Sequence, residues 1–187
     1  MKYFNRSCMA CVNLLVAFTL GACVLTSPGE TSEPPETELK ANLKVPASLP
    51  SGEVVKLRFT LINNTDTELY VLKWYTPLEG IAGEIFRVER DGQVIPYEGI
   101  LAARGDPSAD AYVLLNPGES VSAEVDLATA YDFSPAGEYT IAFLSPRISH
   151  VAKTEDQMAA SVDDLGPVEI PSNSVTVRIG GSSNNRD

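Results

Sequence analysis

The chain has 187 residues, 44% of them hydrophobic, with a formal net charge of −11. That is enough apolar material for one packed domain plus a targeting segment, and it excludes wholesale disorder. An acidic surface repels phosphate backbones, so nucleic-acid partners are excluded as well.

The first residues carry a targeting pattern. Lys2 and Arg6 make a positive start, and Cys11 to Leu20 make an apolar run too short to span a bilayer. The run ends in Leu20-Gly21-Ala22-Cys23, which resembles a bacterial lipobox. By that resemblance, residues 1–22 are a lipoprotein signal peptide and Cys23 is lipidated. The protein is then held by a lipid anchor at a membrane of the bacterial cell envelope, facing the periplasm or the exterior. All three cysteines, Cys8, Cys11 and Cys23, lie in this part. The following domain therefore has no cysteine pair to staple it. Residues 23–37 are rich in Pro, Ser, Thr and Glu and read as a flexible tether.

From Leu39 the hydrophobic period is two. Leu39, Ala41, Leu43 and Val45 alternate with polar residues, as do Val55, Leu57, Phe59 and Leu61. Val121–Leu127, Tyr139–Phe143 and Val175–Ile179 repeat the pattern. Each set predicts a strand with one buried face. Turn residues separate them: Asn63-Asn64-Thr65-Asp66, Asp91-Gly92, Asn116-Pro117-Gly118 and Pro135-Ala136-Gly137. Asp91-Gly92 predicts a two-residue hairpin. Pro135 to Tyr139 has the form of a tyrosine corner. The expectation is an all-β fold: an antiparallel, immunoglobulin-like β-sandwich of seven to nine strands over residues 38–180, followed by a disordered tail at 181–187. Thr154-Glu155-Asp156-Gln157 reads as a capping box and predicts one short helix to about Asp164, inserted before the last strand.

Leu69–Tyr75 is apolar on both faces and predicts a central strand running up to Pro77. That strand, Leu69–Tyr75, contains Trp74, the single tryptophan, at its exit beside Lys73, with Thr76-Pro77 following. Two readings of Trp74 stand side by side. It is a core residue, or it is a partner anchor with the composition of an interface hot spot.

Chemistry-bearing patterns are sparse. His150 is the single histidine, short of the three protein ligands of a catalytic zinc site, and no H-E-x-x-H occurs. No G-x-S-x-G accompanies it. Asp66, Glu68, Asp91 and Asp163-Asp164 do not have the spacing of a calcium loop. Arg104-Gly105-Asp106 spells an adhesion tripeptide of a kind common by chance, and Asn63-Asn64-Thr65 is a glycosylation sequon in form. No catalytic residue, metal site or cofactor is implied.

Four stretches together, LYVLKWYTPLEG (69–80), IFRVERDGQVIPYEG (85–99), YVLLNPGESVSAEVDLATAYDF (112–133) and GPVEIPSNSVTVRI (166–179), resemble the N-terminal β-sandwich of bacterial deuterolysin-like metallopeptidases. These are the aspzincins, which include peptidyl-Lys endopeptidases. In that family the sandwich is a pro-domain preceding a zinc domain. The resemblance implies a non-catalytic, lipid-anchored module that binds or inhibits an aspzincin-type metallopeptidase, without the zinc domain in this sequence. It places the segment Lys73, Trp74, Tyr75, Pro77, Leu78 and Glu79 in the partner's cleft. The alternatives are a structural or adhesive envelope lipoprotein, or the detached N-terminal part of a split or truncated protease.

Overall fold

The computed structural model describes residues 37–144 and 150–180, all within one compact unit, Pro35–Asp187. The expected signal peptide, Cys23, nearly all of the tether and the 181–187 tail lie outside the described residues. The strands are β1 (Leu39–Lys44), β2 (Ser48–Leu49), β3 (Lys56–Asn63), β4 (Leu69–Leu72), β5 (Phe86–Arg90), β6 (Gln93–Ile95), β7 (Tyr112–Leu115), β8 (Ser120–Asp126), β9 (Gly137–Phe143), β10 (Val151–Ala152) and β11 (Ser174–Ile179). They form three sheets, in the orders β1-β3-β8, β10-β4-β7 and β2-β11-β9-β5-β6. Every pairing between these strands is antiparallel except that of β2 with β11, and an isolated parallel bridge joins Ala41 to Ser172.

The period-two reading of the sequence is realised in this β-sandwich. In β3, Leu57, Phe59 and Leu61 point into the core while Lys56 and Arg58 face water. Across the solvent face, Arg58 pairs with Glu124 at 2.9 Å and the Thr60 and Ser122 hydroxyls meet at 2.8 Å, as cross-strand neighbours should. On the inner side the Phe59 ring of β3 lies 5.4 Å from the Phe143 ring of β9, so two sheets meet face to face. Leu69, Val71 and Leu115 bring the β10-β4-β7 sheet into the same core.

Two local readings hold in detail. Asp91 and Gly92 both have positive φ (49° and 82°), the backbone a two-residue hairpin turn demands. The Asp91 carboxylate then accepts the Glu138 N–H at 3.1 Å, tying the hairpin tip to the start of β9. The fully buried Tyr139 donates its hydroxyl to the Pro135 carbonyl at 2.7 Å, closing the tyrosine corner.

Two readings need correction. β4 is the central strand of the β10-β4-β7 sheet, but it ends at Leu72 and not at Tyr75. Its partner β7 begins at Tyr112, opposite Leu72, and the preceding Ala109–Ala111 is a 3-10 turn. Lys73 N–H still donates to the Ala111 carbonyl at 2.9 Å, but no strand partner follows for residues 74 and 75, and Pro77 has no N–H to extend a ladder. The insertion before the last strand is present, but it is two 3-10 turns, Glu155–Gln157 and Val162–Asp164, in place of one helix. The Thr154 side chain makes no cap. The N–H groups that would continue a helix have tertiary acceptors: Ala159 N–H goes to the Tyr112 hydroxyl at 3.0 Å and Val162 N–H to the Asp106 carboxylate at 3.0 Å. So short a helix is marginal by itself, and those bonds outweigh it.

Candidate functional site

The chain leaves β4 at Lys73 and folds into a tight loop that closes on itself. Thr76, fully buried, donates its hydroxyl to the Lys73 carbonyl at 2.6 Å and accepts the Leu78 N–H at 3.2 Å, capping the 3-10 turn Pro77–Glu79. Tyr75 takes a left-handed backbone (φ 58°) that a side chain with a Cβ rarely adopts. It is held there because its N–H donates to the Glu79 carboxylate at 2.9 Å.

Arg104, from the loop between β6 and β7, enters this turn. Its guanidinium forms an ion pair with Glu79 and lies 5.1 Å from the Trp74 ring centroid and 5.8 Å from that of Tyr75. Both charged side chains are largely withdrawn from water, 20% and 15% exposed. Burial raises the Glu79 carboxyl above its ordinary value, opposed by the Tyr75 N–H, Arg104 and Lys73. Arg104 Nε is buried with no hydrogen-bond partner among the described residues. For the Glu79 carboxyl, burial thus outweighs the combined pull of its partners.

All six segment residues are therefore brought together, in one knot. Pro77 is buried, and Lys73, Trp74, Tyr75, Leu78 and Glu79 are half-buried. Trp74 is half-buried, with the Arg104 guanidinium lying over its ring. The Arg104-Gly105-Asp106 tripeptide is consumed internally, Arg104 by Glu79 and Asp106 by the Val162 N–H. The Asn63 side chain of the sequon is also fully engaged. It is buried, donates to the carbonyls of Thr67, Leu115 and Asn116, and accepts from Thr65.

His150 sits against Tyr112, ring to ring at 5.9 Å. The Tyr112 hydroxyl accepts the Ala159 N–H at 3.0 Å and shares a hydrogen bond of 3.1 Å with His150 Nδ1. Burial holds this imidazole below its ordinary value, with Asp164 opposing. The arrangement is a structural latch. A surface depression of about 450 Å³ is rimmed by Glu53, Glu98 and Asp132. Among the described residues no group of three or more His, Cys, Asp or Glu is placed to hold a metal ion.

Sequence reasoning passed over one feature. Ile100 and Leu101 stand 71% and 78% exposed in the loop that carries Arg104. Two adjacent apolar residues in a glycine- and alanine-rich stretch have no period, and so give no signal of burial or exposure.

No protein-family model matches the chain. An extracellular protease of Aeromonas hydrophila is 34% identical to it over 136 residues, which is 73% of this chain and 37% of that protein. A neutral protease 2 homolog of Uncinocarpus reesii is 31% identical over 130 residues, 63% of this chain and 36% of that protein. A further homolog from Coccidioides posadasii is 27% identical over 131 residues, 68% and 36% of the two chains. This chain is a relative of these proteases. It spans just over a third of their length. Among solved structures, the CARDB domain of a Pyrococcus furiosus protein covers 76% of this chain and 94% of its own at 11% identity, with a TM-score of 0.33. A likeness at that score carries no functional argument.

Proposed function

We propose that this chain is a non-catalytic, pro-domain-like module that docks on the catalytic domain of a metallopeptidase and inhibits it. The observation behind this reading is the pattern of similarity. The match to the proteases occupies 36–37% of their length, and the described residues form a sandwich with its own core. Such a unit is the size and shape of an accessory domain. The half-buried charge clamp at Glu79 and Arg104 supports it, since strained and poorly repaid groups collect where a surface is shaped for a partner. Export through the leader, with Cys23 acylated in the cell envelope, is part of the same proposal.

The same partial coverage favours a second reading: the module is one part of a protease whose remaining length is carried separately. An adhesive role through Arg104-Gly105-Asp106 is disfavoured, because both charged residues of that tripeptide are already bonded within the fold.

The test is inhibition of the part of the Aeromonas hydrophila extracellular protease outside the matched region. The full chain should bind it with a Kd of about 1 μM or tighter, roughly 8 kcal/mol. Uninhibited activity at a tenfold excess over that concentration would remove the proposal. Mass spectrometry of the mature N-terminus decides the anchor: an unacylated start downstream of Cys23 ends that part.

A further inference from the structure

Ile100 and Leu101 are the most exposed large apolar side chains among the described residues. They are not loosely placed. On one side the Tyr97 hydroxyl donates to the Ile100 carbonyl at 2.5 Å, and Glu98 N–H donates to the Ala130 carbonyl at 2.8 Å. On the other side Ala102 N–H donates to the Ala82 carbonyl at 2.9 Å, and Arg104 is locked by Glu79 and Trp74. Between them Gly99 packs so closely that a Cβ there would fall 2.6 Å from the Tyr97 ring and 2.9 Å from the Ala130 Cβ. The two residues at the tip, whose side chains stand in water, are the two apolar ones. A loop pinned at both feet loses little freedom when it binds.

We propose that Ile100 and Leu101 form the insertion element of this module and enter an apolar subsite in the cleft of a protease catalytic domain, with the 73–80 knot as their support. The inference rests on the proposed function above and moves its centre of contact from Trp74 to the loop that Trp74 braces. Three observations choose this occupant. The tip is irregular backbone, outside every sheet, so it is free to enter a cleft. In the related proteases nearly two thirds of the chain lies outside the matched region, which leaves a domain-sized partner. Charge argues against the other occupants. Glu98 is exposed at the foot of the loop, Glu84 acts on the Tyr97 hydroxyl, and the chain as a whole is acidic. A second copy would meet like charge, and an anionic lipid surface would repel it. A cleft with an apolar floor and a cationic rim fits.

The experiment uses the full chain and the catalytic part of the Aeromonas hydrophila extracellular protease. The double variant Ile100→Ser/Leu101→Ser should lose inhibition by about a hundredfold or more, as buried anchors do, while its urea midpoint stays that of the wild type. Tyr97→Phe keeps the ring and removes only the tip's restraint. It should weaken inhibition severalfold in the wild-type background and have no effect in the double-serine background, the signature of a positioning residue. A double-serine variant that inhibits like the wild type overturns the tip and leaves the proposed function standing. A wild-type chain that does not bind the protease overturns both. Tip-dependent self-association on size-exclusion chromatography assigns the surface to a second copy and overturns the inference.

Discussion

The guanidinium of Arg104 lies 5.1 Å from the ring centroid of Trp74, thirty residues earlier in the chain, and the same guanidinium is paired with Glu79. One side chain thus joins the turn after β4 to the loop after β6. Removing it leaves Glu79 withdrawn from water with only the Tyr75 N–H and the more distant Lys73 charge to stabilise it. Arg104→Ala should cost about 1–3 kcal/mol in urea unfolding. It should also shift Trp74 emission to the red, and with a single tryptophan the reading is unambiguous. Arg104→Lys should restore little of either, because an ammonium lacks the flat fork that stacks and pairs at once. An Arg104→Ala protein with wild-type stability and emission would show that the loops stand apart without it.

Asn63 gives the sharpest stability prediction. Its amide donates to three carbonyls, those of Thr67, Leu115 at the end of β7 and Asn116, and its oxygen accepts from Thr65. Asn63→Ala should cost about 2–4 kcal/mol, since buried partners on both sides lose their bonds. Asn63→Asp is nearly isosteric but cannot donate when ionised and would face three carbonyl oxygens. It should be markedly less stable at pH 7 than at pH 4, relative to wild type at each pH. Equal loss at both pH values would contradict the donor assignment.

Tyr139→Phe removes one hydroxyl and leaves the ring packed on Phe133 at 4.7 Å. The lost bond to Pro135 should cost about 1 kcal/mol. A neutral variant in urea melts would mean that ring packing alone holds the corner.

His150 sets a pH dependence whose sign follows from burial. The folded imidazole titrates below the ordinary value of 6.5, so as pH falls the unfolded chain takes up the proton first. Stability from this site is therefore intact above about 6.5 and declines as pH drops through that value, because burial disfavours the charged imidazole. Relief of acidic self-repulsion acts in the opposite direction over the same range. The comparison is thus wild type against His150→Gln in urea from pH 8 to 5.5, and the difference between them should narrow on acidification. A constant difference would show that the latch does not titrate.

The period-two runs, the Asp91-Gly92 turn and the Pro135–Tyr139 corner were legible because each depends on neighbours in sequence. A strand's inner face, a left-handed turn and a four-residue hydrogen bond are local matters. The end of β4 was not legible, because it depends on where β7 begins, forty residues away. The short helix failed for the same reason: the Tyr112 hydroxyl and the Asp106 carboxylate take N–H groups that a helix would need.

By itself, then, the sequence determined an all-β sandwich, its main strands and turns, and a site drawn around residues 73–79. Hydrophobic period and turn chemistry are carried by short runs of residues. Only the tertiary structure decided what that site is. It brought Arg104 onto Trp74 and Glu79, consumed the charged residues of the 104–106 tripeptide, and left Ile100 and Leu101 in water. Which apolar side chains stay exposed is set by hydrogen bonds from Tyr97 and Ala102 and by contacts between loops, and no local pattern encodes those.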